Sequence, residues 1–248
     1  MSPWFVIGAI ACATGAAQGA GDIPWRTNVR TASAAAVAAN KPMLIEFWAT
    51  WCPPCKVMDE QVYPSPAVKE AMTKVLPVRI DVDKQESVAR QYEIAAMPTL
   101  IFADSYGNEL FRFSGNISVE TMTQLLAELP GDVTTINRLT QIIGKDKDNF
   151  TALESLGREL RRTKLFRASN RYYEQALRVR APADHTGKRG DILIAMGDNH
   201  LELKEYREAA QRFERYLQEF KGGPAEAEAT RGLARARALL NPRVETKR

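Results

Sequence analysis

The sequence has 248 residues, of which 45% are apolar and 26% are charged, a composition typical of a globular protein with one or two domains. Its 34 basic and 30 acidic residues give a formal net charge of +4. This excess is small and dispersed along the chain, which argues against a nucleic-acid partner.

Residues 1–21 differ in composition from the rest of the chain. They include the apolar stretch WFVIGAIACATGAAQGAG (4–21), which carries no charge and ends in small residues. Such a stretch is typical of a signal peptide or an N-terminal membrane-targeting segment. We therefore expect a periplasmic or otherwise extracytoplasmic protein, with membrane anchoring through this segment as an alternative. Cys12, within the weakly lipoprotein-like motif AIAC, is an alternative site of lipid attachment.

Residues 22–130 show strand and helix patterns in alternation. An alanine-rich helix within 25–42 is expected to stop at Asn40. Strands are predicted at 42–50, 76–83, 97–104 and 109–115, and helices at 55–63, 66–72, 84–94 and 118–129. Ser65 and Ser118 are the predicted N-caps of two of these helices. The order predicts an α/β domain with a mixed central sheet flanked by helices.

Residues 131–248 show helical periodicity and no convincing strand, so we expect an all-α domain there. Residues 150–182 align with 190–222 at an offset of forty, which pairs Gly157 with Gly197 and Tyr173 with Phe213. This pattern resembles the tetratricopeptide repeat, with 224–240 as a capping helix. A generic helical bundle is the alternative. The basic run RELRRTK (158–164) fits a solvated helix face or, alternatively, a binding patch.

The chemistry-bearing motif is WCPPCK (51–56), which follows a buried strand and opens a helix. A cysteine at a helix start has its thiolate stabilised by free amides and the helix dipole, so Cys52 is the expected attacking sulfur. Cys55 lies one turn later, and Pro53, Pro54 and Lys56 form the loop and helix start. A structural zinc site is disfavoured because four suitably spaced ligands are lacking. Two inert buried thiols are a further alternative, and a redox couple fits the motif better.

Two motifs resemble the thioredoxin superfamily. EFWATWCPPCK (46–56) is similar to its active-site motif, and MPTLIF (97–102) is similar to its cis-proline strand. The resemblance covers roughly 30–130 and is nearest to extracytoplasmic thiol–disulfide interchange domains.

The resemblance implies a role for each matching position. Cys52 would be the nucleophile and Cys55 the resolving thiol, with Trp51 shielding the pair. Pro98 would follow a cis peptide bond, and Met97 would contact the sulfurs and the substrate. Glu46 would be a buried acid that relays the proton of the second cysteine. The alternative for Glu46 is a strand residue that faces solvent or pairs with Arg79 or Lys56.

These features together predict a periplasmic thiol–disulfide oxidoreductase. It would reduce or isomerise disulfides in protein substrates recruited by the helical repeats, and exchange electrons with a protein donor or acceptor. No cofactor, metal or nucleic acid is expected. The alternatives are an interaction module in which the repeats bind partners and the α/β domain is a platform, and a disulfide-forming oxidase.

Overall fold

A computed structural model describes residues 22–182 and 186–241. The predicted targeting segment 1–21 and its Cys12 lie outside the described residues. The first half of the fold consists of α1 (Val29–Ala39), β1 (Met43–Trp48), α2 (Pro53–Val57), a π-helical turn (Met58–Val62), α3 (Pro66–Met72), β2 (Leu76–Asp81), α4 (Glu86–Gln91), β3 (Thr99–Ala103), β4 (Glu109–Ser114) and α5 (Val119–Glu128). The second half is helical: α6 (Thr134–Lys145), α7 (Phe150–Arg162), α8 (Phe166–Arg178), α9 (Thr186–Glu202), α10 (Tyr206–Glu219) and α11 (Glu226–Leu240).

The described strands form a four-stranded sheet in the order β2-β1-β3-β4. β1 pairs with β2 in parallel and with β3 in antiparallel fashion, so the sheet is mixed, as predicted. Side chains alternate across the sheet. Ile45 and Phe47 therefore pack towards α1 and α4, whereas Leu44 packs towards the π-helical turn, α3 and α5. The buried strand β1 is thus covered by helices on both faces.

The helix ends follow the sequence signals closely. Ser118 caps α5 by accepting a hydrogen bond from the amide of Thr121 at 3.1 Å. Ser65 precedes α3 as expected, although its hydroxyl makes no capping bond and Pro66 occupies the first helical turn. Asn40, which ends α1, adopts a left-handed conformation with φ of 49°.

Helices α7 to α10 form two antiparallel pairs held by close glycine–aromatic packing. A Cβ atom on Gly157 would lie 2.5 Å from the Tyr173 ring, and one on Gly197 would lie 2.6 Å from the Phe213 ring. The residues that the sequence alignment pairs thus occupy equivalent places in the two helix pairs. Helix α6 packs against α7 at one end of the stack. The tetratricopeptide assignment itself stays a prediction.

The helical region is fastened to the turn between β3 and β4. Asp104, which is fully buried, accepts hydrogen bonds from the amide of Asn108 at 2.8 Å and from the hydroxyl of Thr140 on α6. Arg171 of α8 donates to the Glu109 carboxylate at 2.8 Å. Leu110 of β4 is buried among the side chains of the helices. The two halves therefore share a continuous polar and apolar interface.

This interface lies at the end of the sheet remote from the cysteines. In the register of β1 and β3, Met43 faces Ala103 and Phe47 faces Thr99. The β3–β4 turn therefore sits beside the start of β1, whereas Cys52 follows its end. The length of β1, roughly 17 Å at about 3.3 Å per residue, separates the two.

Among the described residues, no helix has both the length and the apolar character required to span a membrane.

The glycine–aromatic contacts predict which glycines tolerate a methyl group. Gly197→Ala should lower the free energy of unfolding by about 1–3 kcal/mol, because the added Cβ would overlap the Phe213 ring. Gly144→Ala on α6 is the matched control, since a Cβ there meets nothing within 4 Å, and it should be neutral or stabilising by up to about 1 kcal/mol. Urea denaturation measures both. Equal effects of the two substitutions would contradict the described packing.

Candidate active site

Cys52 and Cys55 form a disulfide at the start of α2, with an S–S distance of 2.10 Å. Cys52 is the N-cap of the helix, and its Sγ accepts a hydrogen bond from the Cys55 amide at 3.2 Å. Cys52 is 3% exposed, whereas Cys55 is fully buried. An approaching thiol therefore reaches Cys52 first. The same amide would stabilise a thiolate on Cys52 after reduction.

The loop before β3 closes over the cysteines. The Met97–Pro98 peptide bond is cis, as the sequence predicted, and Met97 packs against the cluster that contains both cysteines. Pro98 is buried, and its carbonyl accepts a hydrogen bond from the Gly115 amide at 2.8 Å. Among residues 22–182 and 186–241, no backbone partner pairs with the amide or carbonyl of Met97. These two groups are thus available to an extended chain alongside.

The surface around the disulfide is formed by the remaining predicted site residues. Trp51 is 61% exposed, and its indole N–H donates to the Asp83 carboxylate at 2.8 Å. This bond fixes an apolar ring beside the cysteines despite its exposure. Pro53 and Pro54 occupy the first turn of α2, and the Lys56 side chain is exposed on the same helix.

Glu46 lies on β1 and is fully buried. It pairs in register with Arg79 of β2, whose Nε lies 3.0 Å from the Glu46 Oε2. Side-chain alternation directs Glu46 to the same face as Leu44, which is the face that the π-helical turn after α2 covers. The observed arrangement combines the two sequence-based interpretations, because Glu46 is a buried acid on the active-site face and it also pairs with Arg79. Lys56 is exposed and has no described ion pair with Glu46.

Arg79 is held by groups that sequence reasoning did not identify. The Nη2 atom of Arg79 lies 2.7 Å from the Oδ1 atom of Asp59, which belongs to the π-helical turn after α2. Its guanidinium carbon lies 4.2 Å from the ring centre of Trp48 and 5.7 Å from that of Trp25. Aromatic faces attract such a cation and limit its motion. Asp59 could have been noticed, since it follows Cys55 by one helical turn.

Trp25 reaches this cluster because the segment before α1 extends the sheet. The Arg26 amide donates to the Pro77 carbonyl at 3.0 Å, and the Arg79 amide donates to the Arg26 carbonyl at 2.7 Å. The Trp25 ring also meets the Tyr63 ring edge-on, with ring centres 5.0 Å apart. The segment covers the outer edge of β2 and closes the surroundings of Arg79.

The charge state of Glu46 is set mainly by its burial. Burial raises the pKa of Glu46 to about 7, although Arg79 and the Tyr63 hydroxyl oppose this rise and Asp59 adds to it. A carboxyl group with this pKa exchanges a proton near neutral pH, which suits general acid–base work. The site thus contains an accessible sulfur, a buried sulfur and a buried acid on the face of the sheet that is covered by the π-helical turn after α2.

Comparison with known proteins agrees with this geometry. A family model described as thioredoxin matches residues 27–128. The thioredoxin of Mycobacterium tuberculosis strain H37Rv is 34% identical over 106 residues, which are 41% of this chain and 82% of that protein. A protein disulfide-isomerase of Schizosaccharomyces pombe is 37% identical over 94 residues, or 38% of this chain, and the chain spans only 26% of that longer protein.

Among solved structures, the reduced C-terminal domain of DsbD from Neisseria meningitidis is similar to this chain. The identity is 21% and the TM-score is 0.37, and the match covers 40% of this chain and 92% of that domain.

The raised pKa of Glu46 predicts a pH-dependent stability. The folded protein holds this proton up to about pH 7, whereas the unfolded chain releases it near 4.5. The contribution of this group to stability is therefore greatest below pH 4.5 and falls as the pH rises to 7. Glu46→Gln should remove this fall in the free energy of unfolding. The free energy of unfolding of the variant, minus that of the wild type, should therefore increase between pH 4.5 and 7 and then level off.

Urea denaturation of the oxidised proteins across this pH range measures the effect. Glu70→Gln, at an exposed position on α3, is the matched control for the loss of one acidic side chain and should stay within about 0.5 kcal/mol of the wild type at pH 7. A constant difference between Glu46→Gln and the wild type across the range would contradict the assigned ionisation.

Proposed function

This chain belongs to the thioredoxin family, and we propose that it reduces or isomerises disulfide bonds in partner proteins outside the cytoplasm. It is a thioredoxin-like disulfide oxidoreductase with a Cys52–Cys55 couple. The observation that carries the proposal is the position of this couple, with the more accessible sulfur at the start of α2 and a buried acid on the sheet face that is covered by the π-helical turn after α2.

The proposed reaction begins with the reduced couple. The Cys52 thiolate attacks one sulfur of a substrate disulfide, forms a mixed disulfide and releases the first substrate thiolate. Cys55 then gives its proton to the Glu46 carboxylate, and the resulting thiolate attacks the Cys52 Sγ. This second step releases the other substrate thiolate and leaves the Cys52–Cys55 disulfide seen in the structure. Two electrons pass to the substrate, and a protein dithiol donor must restore the couple.

The surroundings of the couple support an extended protein substrate. The amide and carbonyl of Met97, which have no backbone partner in the described part of the chain, can pair with a strand of the substrate, as at an exposed sheet edge. The exposed ring of Trp51 supplies apolar contact beside the sulfurs. The proposal of an extracytoplasmic location rests on the composition of residues 4–21, since disulfide exchange is useful in such compartments.

Two other functions are alternatives to this one. An oxidase would run the same exchange in reverse and form disulfides in its partners. An interaction module would use the helical region to bind partners, with the α/β domain as a platform. The cysteine pair and the cis-proline loop favour redox chemistry over a platform, because binding alone requires neither.

The direction of electron flow is tested by the reduction potential of the Cys52–Cys55 couple in a series of glutathione buffers. A reductase should have a potential near the thioredoxin value of roughly −270 mV, because a stable disulfide makes the dithiol a good electron donor. A potential near about −120 mV would identify an oxidase and overturn the proposed direction.

Reduction of insulin provides the control for chemistry at this site. The wild type should accelerate insulin precipitation in the presence of a dithiol, and Cys52→Ser should abolish the acceleration because the accessible sulfur is lost. Activity retained by Cys52→Ser would show that the couple is not the reacting group and would favour the interaction-module alternative.

A further inference from the structure

The segment 92–98, between α4 and β3, leads to the Met97–Pro98 bond beside the cysteines. It begins with Glu93 in a left-handed conformation, with φ of 52°. The amides of Glu93 and Ile94 each donate to a carbonyl of the last turn of α4 at 3.0 Å, which is a usual way to close a helix. Glycine commonly occupies the left-handed position, and a residue with a Cβ atom is strained there. The surroundings must therefore hold the backbone in place at the start of this segment.

Arg112 of β4 provides this support. Its Nη2 atom donates to the Tyr92 carbonyl at 3.1 Å, and its Nη1 atom donates to the Glu93 carbonyl at 3.5 Å. Both carbonyls lie at the C-terminal end of α4, where a cation also meets the negative end of the helix dipole. A single guanidinium group thus fixes the start of the segment 92–98.

The other end of the segment is fixed from the sheet. The Thr99 hydroxyl donates to the Ala96 carbonyl at 2.8 Å and lies 2.9 Å from the hydroxyl of Ser114 on β4. Between the two ends, Ala95 is exposed and carries only a methyl group. The course of the backbone towards Met97 is therefore defined by the contacts at its two ends.

Arg112 is itself held from the helical region through Glu109. The Nε atom of Arg112 donates to the Glu109 Oε2 atom at 3.1 Å, and the Nη1 atom of Arg171 on α8 donates to the Oε1 atom at 2.8 Å. Arg171 also donates to the backbone carbonyl of Glu109 at 2.9 Å. The Glu109 side chain is only 15% exposed, so salt screens its ion pairs less than those of a fully exposed carboxylate. One carboxylate thus joins an arginine of the sheet to an arginine of the helices.

We propose that Arg112 is a positioning residue for the substrate-binding segment 92–98, and that Arg171 lets the helical region act on this segment through Glu109. The helical region thereby contributes to the reaction without touching the substrate. A segment held in one conformation binds an extended chain at a lower entropic cost, because its backbone groups are already in place. The inference rests on the proposed function in assigning Met97 to substrate binding.

Single-turnover reactions of the reduced full chain with two disulfides test the proposal. One is an extended peptide whose single cysteine carries a thionitrobenzoate group, and the other is bis-hydroxyethyl disulfide, which has no peptide backbone. Arg112→Ala should raise the half-saturating concentration of the peptide about tenfold and change its maximal rate less than about twofold, as expected when binding alone is lost. The rate with bis-hydroxyethyl disulfide should also change less than about twofold, because this substrate cannot pair with Met97.

The role of the helical region is tested by a double-mutant cycle. Arg171→Ala should raise the half-saturating concentration of the peptide about threefold, since Arg112 keeps its own bonds to the α4 carbonyls. Arg112→Ala with Arg171→Ala should raise it no more than Arg112→Ala alone, because Arg171 acts through Arg112. The matched control is Arg237→Ala, which removes an ion pair to Glu214 within the helical region and should change the concentration less than about twofold.

Hydrogen exchange at the amides of Glu93 and Ile94 is a measurement that does not depend on catalysis. Arg112→Ala should accelerate this exchange about tenfold or more, because the end of α4 opens more often without its support. Arg171→Ala should have a smaller effect in the same direction, and Arg237→Ala should have none. Arg112→Lys, which keeps the charge but lacks the planar fork of donors, repeats the comparison should Arg112→Ala melt at a lower temperature.

Two results would overturn the proposal. Equal exchange and equal peptide saturation in the wild type and in Arg112→Ala would remove the positioning role of Arg112. Effects of Arg112→Ala and Arg171→Ala that multiply in the double variant would remove the coupling through Glu109. A wild type that reacts with neither disulfide would contradict the redox proposal instead, and hydrogen exchange would still decide the role of Arg112. The two failures are therefore distinguishable.

Discussion

The ion pair between Glu46 and Arg79 is the interaction on which the active site depends. A fully buried carboxylate is costly unless a cation offsets its charge, and Arg79 does so at 3.0 Å from the neighbouring strand. Arg79 is in turn fixed by Asp59, Trp48 and Trp25, which come from the turn after the active-site helix, from the end of β1 and from the segment before α1. Elements distant in sequence are thus packed around one charge on the face of the sheet that is covered by the turn after the cysteine helix.

A second constraint fixes the helical region to the end of the sheet that is remote from the cysteines. The buried carboxylate of Asp104 gathers donors from its own turn and from Thr140 of α6, which anchors the helical region to the sheet. Because this anchor lies at the opposite end of β1 from Cys52, the helices leave the disulfide and the Trp51 surface open to a substrate.

Much of this organisation could be predicted from the sequence. Apolar runs and turn residues marked the strands and helices. The Cys-Pro-Pro-Cys motif, together with Met97-Pro98, identified the redox couple. Both kinds of signal can be read from the sequence because each is local or has a fixed spacing. Trp25 could not be predicted as a partner of Arg79, since it meets Arg79 only after the N-terminal segment pairs with β2. The spacing of Asp59 from Cys55 could have placed this residue near the site, but it does not identify Arg79 as its partner. The anchor at Asp104 was missed for the same reason, as its contact with Thr140 spans 36 residues and follows no periodic pattern. The sequence did not decide whether Glu46 is a buried acid or a strand residue paired with a basic side chain, because burial and pairing are properties of the folded chain.

The central claim is that Glu46 accepts the proton that Cys55 loses when it resolves the mixed disulfide. Single-turnover resolution of a mixed disulfide at Cys52, followed from pH 5 to pH 9 in the wild type and in Glu46→Gln, tests it most directly. The wild-type rate should rise through an inflection near pH 7, where Glu46 becomes a carboxylate able to accept the proton. Glu46→Gln should lack this inflection and be slower by about a hundredfold, the lower range of general-base effects. Superimposable pH–rate profiles for the two proteins would contradict the account.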